Sequence, residues 1–307
     1  MVSSRVMVTG AAGLLGASLV VEALQAGRDV VPVYRERALK VPGLRLDLLN
    51  TDAMLRAVQQ LRPAWIIHCA AVTNVDWAQD HPEATAQVNG WLPGELAAAA
   101  ASVGARVLYV STDSVFDGSR GAYRETDTPA PMNVYATTKL QGEDAIRAAH
   151  GRHVVLRTNI HGWNALDKQS LSEWMLGRLE SGSPFPAFGD VVFSPLLVND
   201  LATVMIELID RDIDPATYHA GAADAVSKFD FAVMLADLSG TDRLLVQRAS
   251  AASAGFRAPR PRNTSLISEK LERALEQRLP TVKDGLVRFL ALRDRGFPAD
   301  LHTLVEN

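Results

Sequence analysis

Only one cysteine occurs in the 307 residues. A single thiol cannot close an internal disulfide. The neighbours of Cys69, Ile66-Ile67-His68 before and Ala70-Ala71 after, predict a buried strand end. Cys69 therefore reads as a small hydrophobe in a reducing, cytoplasmic setting. An excess of positive charge is missing too. The net charge is −4, and no run of Lys or Arg offers the basic face that a nucleic-acid polymer requires. Met1-Val2-Ser3-Ser4 leads straight into Arg5-Val6-Met7-Val8, without the basic and apolar segments of a signal peptide. The most apolar stretch, around Leu96 to Val103, is far too short to span a bilayer, so a soluble protein without a membrane partner is expected. The seven histidines are scattered without i,i+4 pairing, so no metal site is expected. Internal repeats and low-complexity linkers are also missing.

What is present is alternation. Arg5–Val8, Asp29–Tyr34, Leu44–Leu48, Ala64–Ala70, Arg106–Ser111 and His153–Arg157 are short, largely β-branched runs that predict strands. Between them, Leu14–Ala26, Thr51–Leu61, Pro82–Val103 and Val134–Ala149 predict helices, with Gly27, Gly104 and Gly151 as stops. Such an order, with strands apolar throughout, predicts an α/β fold of the Rossmann type: a doubly wound parallel sheet with helices on both faces. Residues 159–190, rich in aromatics, Pro and Gly, predict an insertion over a site. Val191–Asp200 and Thr217–Gly221 are expected to return to the sheet. Helices are expected at Phe229–Leu238 and Thr281–Leu292, with a Pro/Arg loop at Arg257–Asn263. The expected organisation is a dinucleotide-binding domain over 1–158, rejoined by 191–222. A smaller, discontinuous C-terminal substrate lobe would comprise 159–190 and 223–307, at the carboxyl ends of the strands.

Thr9-Gly10-Ala11-Ala12-Gly13-Leu14-Leu15-Gly16 joins the first strand to the first helix. Gly10 permits a tight turn, Gly13 lets backbone approach a pyrophosphate, and Gly16 lets helix and strand pack closely. N–H groups of Leu14 and Leu15 would face the anion. The second strand runs into Arg35-Glu36-Arg37. An acidic residue at that place would grip the ribose hydroxyl of NAD, whereas Arg35 accommodates a 2′-phosphate and favours NADP. Asp47-Leu48 follows a strand and is placed to meet the adenine edge.

Tyr135 and Lys139, four apart on a helix, share a face. A phenol titrates near 10, and a nearby ammonium is expected to lower that value by ~1–3 units. The pair would then protonate an alkoxide formed beside a hydride donor. Upstream, Val110-Ser111-Thr112-Asp113 ends a strand, and a hydroxyl there can hold a carbonyl oxygen. Thr112 is the candidate, Ser111 its competitor. Asp113 is either a second polar contact or the turn residue.

These segments resemble the extended short-chain dehydrogenase/reductase superfamily, and within it the dTDP-4-dehydrorhamnose reductase branch. The resemblance rests on TGAAGLLG at 9–16, LDLLNTD at 46–52, AAVTNVDWAQDHPEATAQVN at 70–89 and STDSVFDG at 111–118. YRETDTPAPMNVYATTKLQGE at 123–143, VLRT at 155–158 and RPRNTSLISEKL at 260–271 extend it along nearly the whole chain. It implies a phosphate loop at Gly10, Gly13 and Gly16, an adenine contact at Asp47 and Leu48, and a wall at Ala70, Ala71 and Thr73 beside the nicotinamide half. It further implies a Thr112–Tyr135–Lys139 triad, NADPH as cofactor with NADH as the alternative, and a keto group on a nucleotide-linked deoxysugar as hydride acceptor. Ser114 and Ile160 stand where the family usually carries aromatics. His161, Trp163 and Asn164 are the candidates to rebuild that substrate wall. An NAD-retaining sugar-nucleotide epimerase and a non-catalytic regulator like the methionine adenosyltransferase β-subunits stay open as alternatives, as does a homodimer.

Overall fold

The computed structural model describes residues 5–305. The reading of Met1–Ser4 and the last two positions of the lobe lie outside the described residues. The chain builds a seven-stranded, all-parallel sheet from β1 (Val6–Thr9), β2 (Val30–Tyr34), β3 (Leu44–Arg45), β4 (Trp65–His68), β5 (Arg106–Thr112), β6 (His153–Thr158) and a last strand, Thr217–Ala220. Their spatial order is last strand-β6-β5-β4-β1-β2-β3, so the winding direction reverses between β1 and β4. In open α/β sheets ligands bind at this switch point, beyond the carboxyl ends of the strands.

Successive side chains of each strand point to opposite faces, and both faces are apolar. Val6, Val8, Ile67, Leu108 and Leu156 pack on α1 (Leu14–Gln25) and the helix Val198–Asp210, through Leu19, Val20 and Leu201. Met7, Ile66, Val107, Tyr109 and Val155 face the other layer, α2 (Thr51–Leu61), with Met54 and Val58 buried against them. That layer continues through α3 (Val75–Asp80), α4 (Pro82–Ala86), α5 (Leu92–Ser102) and α6 (Val134–Ala148). Three of these helices start on asparagine caps, α3 on Asn74, which accepts from Trp77 N at 3.0 Å. Asn50 accepts from Ala53 N at 3.1 Å and Asn133 from Ala136 N at 2.9 Å, each satisfying an N–H of the first turn.

Four sequence expectations change. The single helix expected over Pro82–Val103 is interrupted by a π-turn, Gln87–Trp91, between α4 and α5. The strand expected over Leu44–Leu48 stops at Arg45, because the Asp47 carboxylate accepts from Leu49 N at 3.0 Å and bends the chain. β5 runs one residue further than expected, carrying Thr112 into the ladder opposite Thr158. Val191–Asp200 does not rejoin the sheet: the free edge of β6 is already taken by Thr217–Ala220, in register with residues 155–158. Val192–Phe193 pairs antiparallel with Val226–Ser227, and Leu196–Leu197 pairs parallel with Ile160–His161. Phe185–Phe188 pairs parallel with Val246–Ala249, and the helices expected in the tail form as Lys228–Ser239 and Val282–Asp294. No helix among the described residues is long and apolar enough to cross a membrane.

Candidate active site

A cleft of about 800 Å³ opens over the switch point, within the usual ~300–1,000 Å³ of a cofactor or ligand site. Its floor is the loop between β1 and α1, with Gly10, Gly13, Leu14, Leu15 and Gly16 all lining it. Gly10 has φ +66°, and a Cβ there would sit 2.6 Å from the backbone N of Ala70, so the loop lies flush against the end of β4. A Cβ on Gly16 would stand 2.2 Å from the Gly10 carbonyl, so only glycine lets α1 start this close to β1. No side chain caps α1, whose first N–H groups stay free for an anion. This cradle fits a dinucleotide pyrophosphate.

At the adenosine end, Arg35, Glu36, Arg37, Asp47 and Leu48 line the cleft. Arg35 pairs with Glu36 at 2.9 Å, while Arg37 has no ion-pair partner among the described residues. Both arginines thus face the cleft, Arg35 within an exposed ion pair and Arg37 without one. Ala70, Ala71 and Thr73 form the wall beyond β4. That wall is clamped by Asn89 from the π-turn: its Oδ1 accepts from Val72 N at 2.9 Å and its Nδ2 donates to Val72 O at 3.0 Å.

At the other end α6 and β5 bring Thr112, Tyr135 and Lys139 into the same cleft. Burial pushes the Tyr135 phenol up to about 12, with the Thr112 hydroxyl acting in the opposite direction and the Asp113 carboxylate adding to the rise. This reverses the expected lowering by Lys139. The Lys139 ammonium donates to Val110 O at 2.7 Å and lies 4.0 Å from the Tyr109 ring centroid. Burial brings Lys139 down to about 7, against the pull of Glu143. The phenol is therefore neutral at physiological pH, which is the proton-donating form. Cys69 lies just past β4, lines the cleft and is inert: burial pushes its thiol up to about 12.

Behind the triad, Glu143 is fully buried. It accepts from Ser111 Oγ at 2.6 Å and, in a bidentate pair, from Arg157 Nε at 2.9 Å and Nη2 at 2.7 Å. The Ser111 hydroxyl is thereby committed to α6, whereas the Thr112 hydroxyl, which accepts from Ser114 N at 3.1 Å, stays at the cleft beside Tyr135. Asp113 lines the cleft but is 1% exposed and saturated with donors. Asn159 Nδ2 donates at 2.8 Å, Thr264 Oγ1 at 2.5 Å, and the Thr112 and Ser114 hydroxyls each at 3.2 Å. Burial raises its pKa while these donors lower it. Asp113 thus joins β5, β6 and the C-terminal segment.

Of the substrate-side candidates, Ser114, Ile160 and Asn164 line the cleft, whereas His161 and Trp163 do not. Their placement on a substrate wall is corrected. Trp163 stacks on Phe289 at 4.1 Å between centroids and donates Nε1–H to the Phe289 carbonyl at 2.9 Å. His161 is fully buried between Phe231 and Phe289, and burial holds it at about 3. Both belong to the core, His161 through the short pairing of Ile160–His161 with Leu196–Leu197 and Trp163 through its contacts with Phe289. Sequence reasoning passed over Asn89, Asn159, Thr264 and the Leu166–Ser170 wall. The Asn89-Gly90 pair, a turn signal inside a helical run, was the one available clue.

Comparison with known proteins agrees with this geometry. The family profile described as RmlD substrate binding domain matches residues 4–294. The chain is 34% identical to a dTDP-4-dehydrorhamnose reductase of Mycobacterium tuberculosis over 85% of this chain and 84% of that protein. It is 33% identical to methionine adenosyltransferase 2 subunit beta of Bos taurus over 93% and 88% of the two chains. The crystal structure of a Bacillus anthracis dTDP-4-dehydrorhamnose reductase in complex with NADP superposes with a TM-score of 0.85 at 29% identity, covering 94% of this chain and 99% of that one.

Proposed function

The chain belongs to the family of the RmlD substrate binding domain, and from that membership we propose an NADPH-dependent reductase acting on the keto group of a nucleotide-linked deoxysugar. One observation carries the reading. A single cleft holds an uncapped, glycine-built anion cradle at one end and Thr112, Tyr135 and Lys139 at the other. The likeness to a reductase whose structure contains NADP supports the cofactor.

Gly10, Gly13 and the start of α1 would hold the pyrophosphate, Arg37 the 2′-phosphate, and Lys139 the ribose next to the reacting centre. NADPH supplies the hydride when bound. The residues of the chain manage the proton. Tyr135, neutral because it is buried, donates its O–H to the oxygen that gains charge as the carbonyl is reduced. Thr112, whose rival Ser111 is engaged by Glu143, would turn its hydroxyl from Asp113 to donate to the same oxygen and orient it. Asp113 keeps the strand end and Ser114 in place from behind. The absence of an aromatic at Ser114 and Ile160 leaves the sugar side of the cleft open in this chain.

The same proposal assigns 1–158, with 191–222 returning to it through the helix Val198–Asp210 and the strand Thr217–Ala220, to dinucleotide binding, and 159–190 with 223–307 to the substrate. It also keeps the protein in a reducing cytoplasm, in line with its single inert thiol. The decisive experiment follows NADPH oxidation against a panel of nucleotide-linked 4-keto-sugars. Turnover of one of them supports the reading, and activity on simple ketones alone would overturn the substrate class. The likeness to a methionine adenosyltransferase subunit favours a second reading, a cofactor-binding regulator. Tight NADPH binding with no turnover across the panel would decide for it.

A further inference from the structure

The loop after β2 carries the charges that face a 2′-phosphate, yet Arg35, Glu36 and Arg37 are all exposed, and the Arg35–Glu36 ion pair within the loop is itself at the surface. Two contacts from elsewhere hold it. On one side Arg45 Nε donates to the Arg35 carbonyl at 3.2 Å. On the other, the loop meets the far end of the chain. Lys40 N donates to the Leu304 carbonyl at 2.6 Å, and Leu39 forms an antiparallel bridge with Val305.

The side chains close the same joint. Leu39 is 2% exposed, Leu301 1% and Val305 7%, all within one apolar cluster. The helix Phe297–Leu304 that presents them begins after Gly296, at φ +79°, and packs on the helix Val282–Asp294. Residues 297–305 lie beyond the 4–294 span that the family profile matches.

We propose that Phe297–Val305 is a strut that holds the loop at Arg35–Val41 against the cleft and thereby sets the preference for a 2′-phosphorylated dinucleotide. The inference rests on the NADPH reading above. The physical reason is entropic. Arg37 can meet a phosphate cheaply only if its backbone is already fixed, and Leu39, two residues on, is fixed by the tail. The backbone contacts of the strut go to Leu39 and Lys40, on the adenosine side of the cleft, so it acts on that half. Leu301 and Val305 are positioning residues.

The test measures NADPH and NADH dissociation constants, together with kcat at saturating NADPH, for the full-length protein and for Leu301→Ala and Val305→Asp. The expected result is NADPH binding weakened about tenfold, the order of one charge-assisted hydrogen bond. NADH binding and kcat should stay within about twofold, since a change below ~0.5 kcal/mol is the usual scatter of remote substitutions. In the Leu301→Ala background, a disulfide between Leu39→Cys and Val305→Cys should restore NADPH affinity when oxidised and not when reduced, because bridged neighbours sit within disulfide reach. Unchanged NADPH binding, or equal loss for both cofactors, would overturn the strut. Wild-type protein that binds NADPH no better than NADH would instead overturn the cofactor reading.

Discussion

The hydroxyl of Thr264 donates to the carboxylate of Asp113 at 2.5 Å, joining residues 151 positions apart. Asp113 follows the Thr112 hydroxyl directly, so this bond locks a C-terminal loop onto the catalytic strand end. Thr264→Val keeps the shape and deletes the donor. Leaving a buried carboxylate one donor short should cost ~1.5–3 kcal/mol, read by urea denaturation. The KM for the keto-sugar should rise more than kcat falls. Unaltered stability and KM together would show that the clasp carries no weight.

Tyr135 stands in the cleft as a neutral phenol. Tyr135→Phe should lower turnover by ~10²–10⁴-fold while NADPH binding, followed by fluorescence, stays close to wild type. An unchanged rate would remove Tyr135 from the chemistry.

Lys139 is charged below about 7 and neutral above it in the protein without cofactor. An anionic cofactor prefers the charged form, so NADPH affinity should weaken as pH rises from about 6 to about 8. Lys139→Met should bind more weakly and lose that pH dependence. The stability effect has the opposite sense. The folded value lies below that of an unfolded lysine, so the cost of burying the ammonium is full below about 7 and fades as pH rises toward ~10. Calorimetry of Lys139→Met should therefore show its largest stabilisation near pH 6. A pH-independent difference would contradict the assignment.

His161 is fully buried and neither ring nitrogen has a partner among the described residues. The unfolded chain protonates it below 6.5, whereas burial delays protonation in the folded protein to about 3. Stability from this group is thus complete above 6.5 and lost as pH falls, at up to ~1.4 kcal/mol per pH unit. His161→Leu should stabilise the protein by ~1–3 kcal/mol at pH 7 and by more at pH 5, measured by denaturant titration at both. Catalysis should be unaffected, because His161 lies outside the cleft. A drop in kcat would return it to the substrate wall.

Asn89 holds the Ala70–Thr73 wall by two hydrogen bonds to Val72. Asn89→Ala should raise the KM for NADPH and destabilise the protein by ~1–3 kcal/mol. Hydrogen exchange should report faster opening at Val72 and little change in the glycine loop. Equal protection in both proteins would assign the clamp to other contacts.

Local chemistry made much of this molecule readable in advance. The β-branched runs, the three glycines at 10, 13 and 16, and the four-residue spacing of Tyr135 and Lys139 depend on steric and periodic rules that act within a few residues. Those rules sufficed for the parallel sheet, the cofactor loop and the helix that carries the tyrosine. What they could not supply was burial, which belongs to the assembled fold. Tyr135 is raised rather than lowered because packing desolvates it and the Asp113 carboxylate lies near. His161 and Trp163 look like site residues in a polar, aromatic loop, yet His161 pairs in a two-residue strand and Trp163 stacks on Phe289, both in the core. Thr264 and Val305 carry no local sign of their partners. Their roles exist only because residues far apart in sequence meet at Asp113 and at Leu39, and such meetings were decided by the tertiary structure.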